Sequence, residues 1–408
     1  MDNPVEIVLT ALSYGGDAIG RYNGRAVFVP FGLPGETVRV RIVDDRKNYA
    51  RAELVQVVKP APNRITPRCQ HFGACGGCHY QQLSYPDQLS LKASILRDQL
   101  TRIGKIQDPP VQPVEASPLE WNYRNNIQFH LDPGGVLGFI SASSPDEMIA
   151  IQECFLPEDS IAAFWPTLEF ESDSPIERVS LRAGVNEDLL LLLESPEVEL
   201  PEMEIEADIS IVHMTENHAV VVAGDGYLII RVLDRLFKVS AGSFFQVNTV
   251  MAAKMVEHLL ANLPITSGST LLDVYCGAGL FSAFFAGKVA RLVGIESATS
   301  ACEDFAVNLD EFENVELYEG LAQDVLPALR IKPDVVILDP PRAGLDRAVL
   351  DALLILRPSA LAYVSCDPAT LARDAARLLA GGYRLKQVTP FDLFPQTYHI
   401  ESISIFEL

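Results

Sequence analysis

Basic residues are scarce in this chain of 408 residues: 32 Lys and Arg face 54 Asp and Glu, for a formal net charge of −22. That balance excludes a uniformly basic surface of the kind most nucleic-acid binders present. No apolar run approaches the roughly 20 residues a bilayer span needs. The all-leucine run Leu189 to Leu193 has only the length of a strand. Residues Met1 to Gly20 lack the basic and apolar blocks of an export leader. Cysteine is limited to seven residues with no sign of a disulfide framework, which places the chain in a reducing, cytoplasmic setting. Internal repeats and low-complexity stretches are missing, and so is a full GxGxxG.

What is present suits two or three compact domains, since 48% of the residues are hydrophobic. Residues 1–58 alternate apolar and polar side chains between glycine turns, the pattern of a small antiparallel barrel. Pro60, Pro62 and Pro67 then mark a linker into a cysteine-containing loop. Residues 59–235 hold this loop, an amphipathic helix over Gln81 to Ile103 that is placed to pack on the C-terminal domain, and a run of short strands from about 113. Residues 236–408 alternate strands and helices as a doubly wound α/β domain does.

Three strand ends in that domain carry chemistry. Leu271 to Val274 runs into the turn Tyr275-Cys276-Gly277-Ala278-Gly279, where glycine lets backbone approach a ligand. About 20 residues on, Arg291 to Ile295 ends in Glu296, placed to bind ribose hydroxyls. A third strand delivers Asp339-Pro340-Pro341-Arg342, and acid-Pro-Pro after a buried strand points to S-adenosylmethionine rather than a dinucleotide. Near the C-terminus, Cys366 follows the apolar run Leu361 to Val364 and precedes Asp367-Pro368, a helix start. Free N–H groups and the helix dipole there would favour a thiolate nucleophile; a small apolar residue ending a strand is the alternative. Cys69-x5-Cys75-x2-Cys78, with Cys154 downstream, offers four thiolates to an iron-sulfur cluster or to zinc. The spacing is not the CxxxCxxC of radical enzymes.

In order along the chain, these blocks, with Phe244-Phe245-Gln246-Val247-Asn248 and His399-Ile400-Glu401, resemble the S-adenosylmethionine-dependent RNA 5-methyluridine (uracil-C5) methyltransferases. The resemblance covers nearly the whole sequence. It is greatest to the branch with a TRAM domain and a [4Fe-4S] cluster, which includes the bacterial 23S ribosomal RNA enzymes. It implies an α/β protein: a Rossmann-like class I methyltransferase domain, an N-terminal OB-like TRAM barrel and a central α+β domain carrying the iron-sulfur loop. It implies Cys366 as the nucleophile at uracil carbon 6 and Glu401 as the base that removes the carbon-5 hydrogen. Gln246, Tyr275, Gly277, Glu296 and Asp339 would contact the cofactor, Phe244 and Arg342 the substrate. Cys69, Cys75, Cys78 and Cys154 would hold the cluster, leaving His71 and His79 as bystanders. Leu280 departs from the family, where many relatives place a polar asparagine. By spacing alone, Phe244 would be core and Gln246 a turn cap.

RNA is therefore the implied partner, with ribosomal RNA favoured and the transfer RNA T-loop the alternative; no obligate protein partner and no membrane are implied. A non-catalytic RNA-binding scaffold is the reading from a different class, prompted by Leu280 and the acidity. Charge is uneven: residues 1–68 hold ten Lys and Arg against seven Asp and Glu, whereas 146–208 hold eighteen acids and only Arg178 and Arg182. The acidic stretch is expected to face solvent. Phosphate contacts are expected from Arg21, Arg25, Arg39, Arg41, Arg46, Lys47 and Arg51, with Arg124 and Arg342.

Overall fold

The computed structural model describes residues 4–197, 207–216 and 218–408. Strands β1 (Val5–Leu12), β2 (Ala18–Tyr22), β3 (Arg25–Val29), β4 (Thr37–Asp45) and β5 (Tyr49–Lys59) close a barrel in the order β1-β2-β3-β5-β4. Alternation along these strands sends Ile7, Leu9, Val27, Val29, Val38 and Val40 into its core. Helix α1 follows at Tyr85–Arg102, four residues later than the sequence pattern suggests. The reason is local: Ser84 caps it by accepting from the Asp87 N–H, and Pro86 sits in its first turn. Ile95, Leu96 and Leu100 of α1 pack into the core of the C-terminal sheet beside Leu272, Val336 and Leu361.

The central region contains β6 (Asn126–Leu131), β7 (Leu137–Ile140), β8 (Met148–Ala150), α2 (Asp159–Phe164), β9 (Arg178–Ala183), β10 (Leu189–Glu194), β11 (Ser210–Met214) and β12 (Ala219–Ala223). The strands form one sheet in the order β12-β11-β10-β9-β6-β7-β8. The leucine run is β10, and it is apolar throughout because both faces are covered. Leu189, Leu191 and Leu193 enter one core cluster, while Leu190 and Leu192 enter another. A hairpin of β13 (Tyr227–Val232) and β14 (Arg235–Ser240) spans the expected boundary at 235/236. Of the acidic stretch, Asp146, Glu169, Glu171, Asp173, Glu177 and Glu187 are exposed, whereas Glu158 is half-buried. Residues 198–206, with several more of its acids, lie outside the described residues.

The C-terminal domain runs α3 (Thr249–Asn262), β15 (Thr270–Val274), α4 (Leu280–Phe285), β16 (Arg291–Glu296), α5 (Thr299–Asn308), β17 (Val315–Glu319), α6 (Ala322–Val325), β18 (Val335–Leu338), α7 (Arg347–Leu356), β19 (Ala360–Ser365), α8 (Pro368–Ala380), β20 (Arg384–Phe391) and β21 (Glu401–Glu407). Its sheet has the order β17-β16-β15-β18-β19-β21-β20, parallel except for the antiparallel β21. Successive residues of each central strand serve opposite cores, so these strands read as continuous apolar runs. Among the described residues, no helix is long and apolar enough to cross a membrane.

Candidate functional site

From β15 the chain winds to β16 and β17 on one side, then returns to β18 and β19 on the other. The carboxyl ends of β15 and β18 therefore flank the crevice where doubly wound sheets bind ligands. β15 delivers Tyr275 and Gly277 to it, and β18 delivers Asp339. β21 runs against β19, with Ser365 paired to Ser402. One step beyond that pair, the end of β19 and the start of β21 place Cys366 beside Glu401.

These groups form an acidic, largely buried cluster. Burial pushes the Cys366 thiol up to about 12, with Glu401 and Asp339 adding to the rise and Arg342 opposing it. Burial, then the charge of Asp339, holds Glu401 well above the usual carboxylate range, opposed by Arg342 and Lys92. Asp339 rises to about 7 through burial and the charges of Asp273 and Glu296. Asp273, which the sequence reading passed over, is fully buried and also rises to about 7. One of its oxygens accepts from Ser282 Oγ at 2.6 Å; the other, Oδ1, has no partner. An acid inside the apolar strand Leu271 to Val274 was the available signal. Carboxylates this close resist joint ionisation until a cation arrives. The cluster therefore fits the sulfonium and ammonium of S-adenosylmethionine and disfavours a pyrophosphate.

The thiolate expected from the helix terminus is corrected here. The first N–H groups of α8 are not free for Cys366, because Asp367 Oδ1 accepts from Ala369 N at 2.9 Å and Thr370 N at 2.8 Å. Burial therefore works against the thiolate at Cys366 in the free protein.

The glycine turn is braced by Glu296, whose Oε2 accepts from Gly277 N at 3.0 Å and whose Oε1 accepts from Ser297 N and Ala298 N. Tyr275 takes φ +66°, a strained value for a non-glycine residue. Gly279, at φ +87°, has no room for a Cβ, which would lie 2.4 Å from Leu309 Cδ1. Leu280 is buried, and its side chain packs in the core. Phe244 is 70% exposed, unlike Phe245 at 7%, and so is not core. Gln246 is half-buried, and its carbonyl accepts from Asn125 Nδ2. The helix cap is instead Asn248, which accepts from Met251 N at 3.1 Å. Arg342 is exposed beside the cluster. One site residue no sequence pattern announced is Tyr14 of the barrel: its hydroxyl reaches the Cys366 carbonyl at 3.5 Å, and its ring meets Tyr398 edge-on.

A second centre lies between the linker loop and the central sheet. Cys69, Cys75, Cys78 and Cys154 line one cavity of about 240 Å³, walled by Phe72, Trp121, Phe139 and Phe155. All seven cysteines are free. Among the described residues, no group of three or more His, Cys, Asp or Glu side chains is gathered to hold a metal ion. His71 lines the cavity and accepts from Gln152 N, whereas His79 packs on Tyr398. Burial lowers His79 to about 4, so it is neutral. A larger groove of about 660 Å³ runs between barrel and central sheet past Tyr14, Phe31, Arg51, His79 and His130.

The barrel cations are mostly engaged already. Arg25 pairs with Asp45, Arg41 with Glu53, Arg46 with Asp44 and Arg51 with Asp17. Exposed pairs of this kind are weak and exchangeable, so a phosphate would have to displace a carboxylate. Arg124 is half-buried, over the ring of Phe394 and lining the cysteine cavity.

Comparison with known proteins agrees with this geometry. The family model for tRNA (uracil-5-)-methyltransferase matches residues 201–407, and that for the TRAM domain matches residues 4–55. An uncharacterized RNA methyltransferase of Thermosynechococcus vestitus is 33% identical, over 98% of this chain and 97% of its own. One of Halalkalibacterium halodurans is 31% identical, over 99% and 97%. The solved Pyrococcus abyssi tRNA (uracil-54, C5)-methyltransferase, in complex with S-adenosyl-L-homocysteine, is 25% identical with a TM-score of 0.74, covering 98% of this chain and all of that one.

Proposed function

This chain belongs to the tRNA (uracil-5-)-methyltransferase family, S-adenosylmethionine-dependent enzymes acting on RNA, and we propose that Cys366 and Glu401 perform its chemistry. The observation that carries the assignment is their juxtaposition across β19 and β21, at the switch point beside Asp339. Carbon 5 of uracil is a poor nucleophile. Cys366, once its thiol proton has passed to solvent, adds through sulfur to carbon 6, and the ring electrons shift to make carbon 5 enolate-like. Gln246, Tyr275, Gly277, Glu296 and Asp339 would hold S-adenosylmethionine, which would supply the methyl group that carbon 5 takes. Glu401, having first lost its own proton to solvent, then takes the carbon-5 proton, the carbon-5 to carbon-6 double bond re-forms, and the Cys366 thiolate leaves. Because burial raises both Cys366 and Glu401 above their ordinary values and both act in their deprotonated forms, activity rises with pH.

The target base must be extruded to reach Cys366, and exposed Phe244 is positioned to stack on it, with Arg342 on a phosphate. The inter-domain groove supports a path for the flanking strand. Cys69, Cys75, Cys78 and Cys154 are the ligands of a [4Fe-4S] cluster in this reading, supported by a shared cavity wider than a single ion requires. Ribosomal RNA is the first substrate. The T-loop uridine of transfer RNA is the second, favoured by the full-length likeness to the Pyrococcus abyssi enzyme, which removes the barrel as a discriminator. Anaerobically purified protein, incubated with labelled cofactor and each RNA, should form 5-methyluridine in one of them. Labelled N-methylated nucleosides, or no label in either, would overturn the assignment. Iron and sulfide analysis should give four of each per chain; zinc without sulfide would remove the cluster.

A further inference from the structure

The segment that leads into Glu401 is held from outside its own domain. Three successive carbonyls of the loop between β20 and β21 accept hydrogen bonds from residues 79–123. Phe394 O accepts from Lys92 Nζ at 2.9 Å, Pro395 O from the Tyr123 hydroxyl at 3.0 Å, and Gln396 O from the N–H groups of His79 at 2.8 Å and Tyr80 at 3.0 Å. Gln396 is buried, and its φ of +70° is unusual for a residue with a side chain. It is fixed twice by Gln88 of α1: its N–H donates to Gln88 Oε1 at 3.0 Å, and its Oε1 accepts from Gln88 Nε2 at 2.9 Å. Gln88 is itself anchored to the carbonyls of Tyr80 and Leu83. Lys92 is buried against Asp392 at 2.6 Å, at the loop's other end. Within the loop, Thr397 closes a turn around Gln396 by donating to Phe394 O through its N–H at 3.2 Å and its Oγ1 at 2.9 Å; the bonds from α1 and the cysteine loop fix that turn against the rest of the protein.

We propose that Gln88 and Tyr123 are positioning residues for the proton-abstraction step, setting the loop 392–400 so that Glu401 meets the carbon-5 hydrogen. The inference rests on the assignment of Glu401 as the base. Cys366 directly follows β19, and none of these bonds reaches it. A loosened clamp therefore slows the last step, in which the carbon-5 proton passes to Glu401 and the carbon–sulfur bond breaks. Addition and methyl transfer are left intact.

The test separates those stages in the full-length protein. Tyr123→Phe removes one hydroxyl, and Gln88→Met removes the bidentate contact at similar volume. On 5-fluorouridine RNA, where elimination is blocked, both variants should form the covalent adduct at the wild-type rate. On ordinary RNA they should release 5-methyluridine about tenfold to a hundredfold more slowly, with methylated protein–RNA adduct accumulating. Equal slowing of adduct formation and product release would show a merely structural role and overturn the proposal, as would unchanged release in both variants. If Gln88→Met does not fold, Tyr123→Phe alone decides. Absence of an adduct with wild-type protein would instead overturn the mechanistic reading beneath it.

Discussion

The two chemical centres are built in opposite ways. At the sheet edge, Asp273, Asp339, Cys366 and Glu401 sit in or at the ends of strands whose neighbours are fully buried, so backbone pairing frames them whether or not a ligand is bound, with the clamped loop 392–400 completing the frame at Glu401. The cysteine centre has no such frame. Its loop is made of turns with isolated bridges, Phe72 to Cys75 and Cys75 to Ser141. The first centre stores electrostatic repulsion that a cationic cofactor relieves. Under the proposed assignment the second would take its order from the cluster its thiols would hold, as metal-coupled loops do. The two meet in the His79 and Tyr80 N–H groups, adjacent to Cys78, which hold the Gln396 carbonyl.

The comparison can be broken by substitution. Cys366→Ala should abolish both methylation and the fluorouridine adduct while leaving the thermal midpoint unchanged, because its frame is the sheet; a large fall in that midpoint would contradict the contrast. Glu401→Gln should slow product release by about 10² to 10⁴-fold while adduct still forms, as measured by single-turnover quench. Cys78→Ser should do the reverse, lowering the thermal midpoint and raising protease sensitivity between residues 66 and 80. If stability holds, the loop is self-supporting and the distinction fails. Phe244→Ala should weaken RNA binding by about 1–3 kcal/mol without altering cofactor affinity, as titrations of each ligand would show.

The smallest effect is in pH. Asp273 and Asp339 titrate near 7 in the folded protein but near about 3.9 when unfolded. Between those values the folded state binds more protons, so stability falls as pH rises through that window. Urea midpoints of cofactor-free protein should therefore be lower at pH 8 than at pH 5, and added cofactor should narrow the gap.

Much of this was legible in the sequence, and the reasons it was or was not are physical. Leu271 to Val274, Val335 to Leu338 and Leu361 to Val364 read as buried strands because both faces meet apolar cores. Cys69, Cys75 and Cys78 mark a shared cavity because a short loop keeps them near, whereas Cys154 reaches it through the fold of the central domain. Long-range register was not legible: nothing local in Glu401 says that it faces Cys366, since only the antiparallel return of β21 brings them together. Tyr14 reaches Cys366 across 352 positions. Local chemistry also misled where a neighbour competed. Asp367 was the helix start, and for that reason it took the N–H groups that Cys366 was expected to use. The barrel arginines looked free because their carboxylate partners lie on adjacent strands or loops.

The central claim is that Cys366 bonds to carbon 6 of a uridine. Its most direct test is to trap wild-type protein on 5-fluorouridine-substituted ribosomal and transfer RNA with labelled S-adenosylmethionine, digest the product, and measure the mass and fragmentation of the cross-linked peptide. A peptide spanning Ala360 to Arg373 that carries a methylated fluorouridine on Cys366 is the predicted result. Cross-linking at another residue, or labelled RNA with an unmodified Cys366 throughout the reaction, would contradict it.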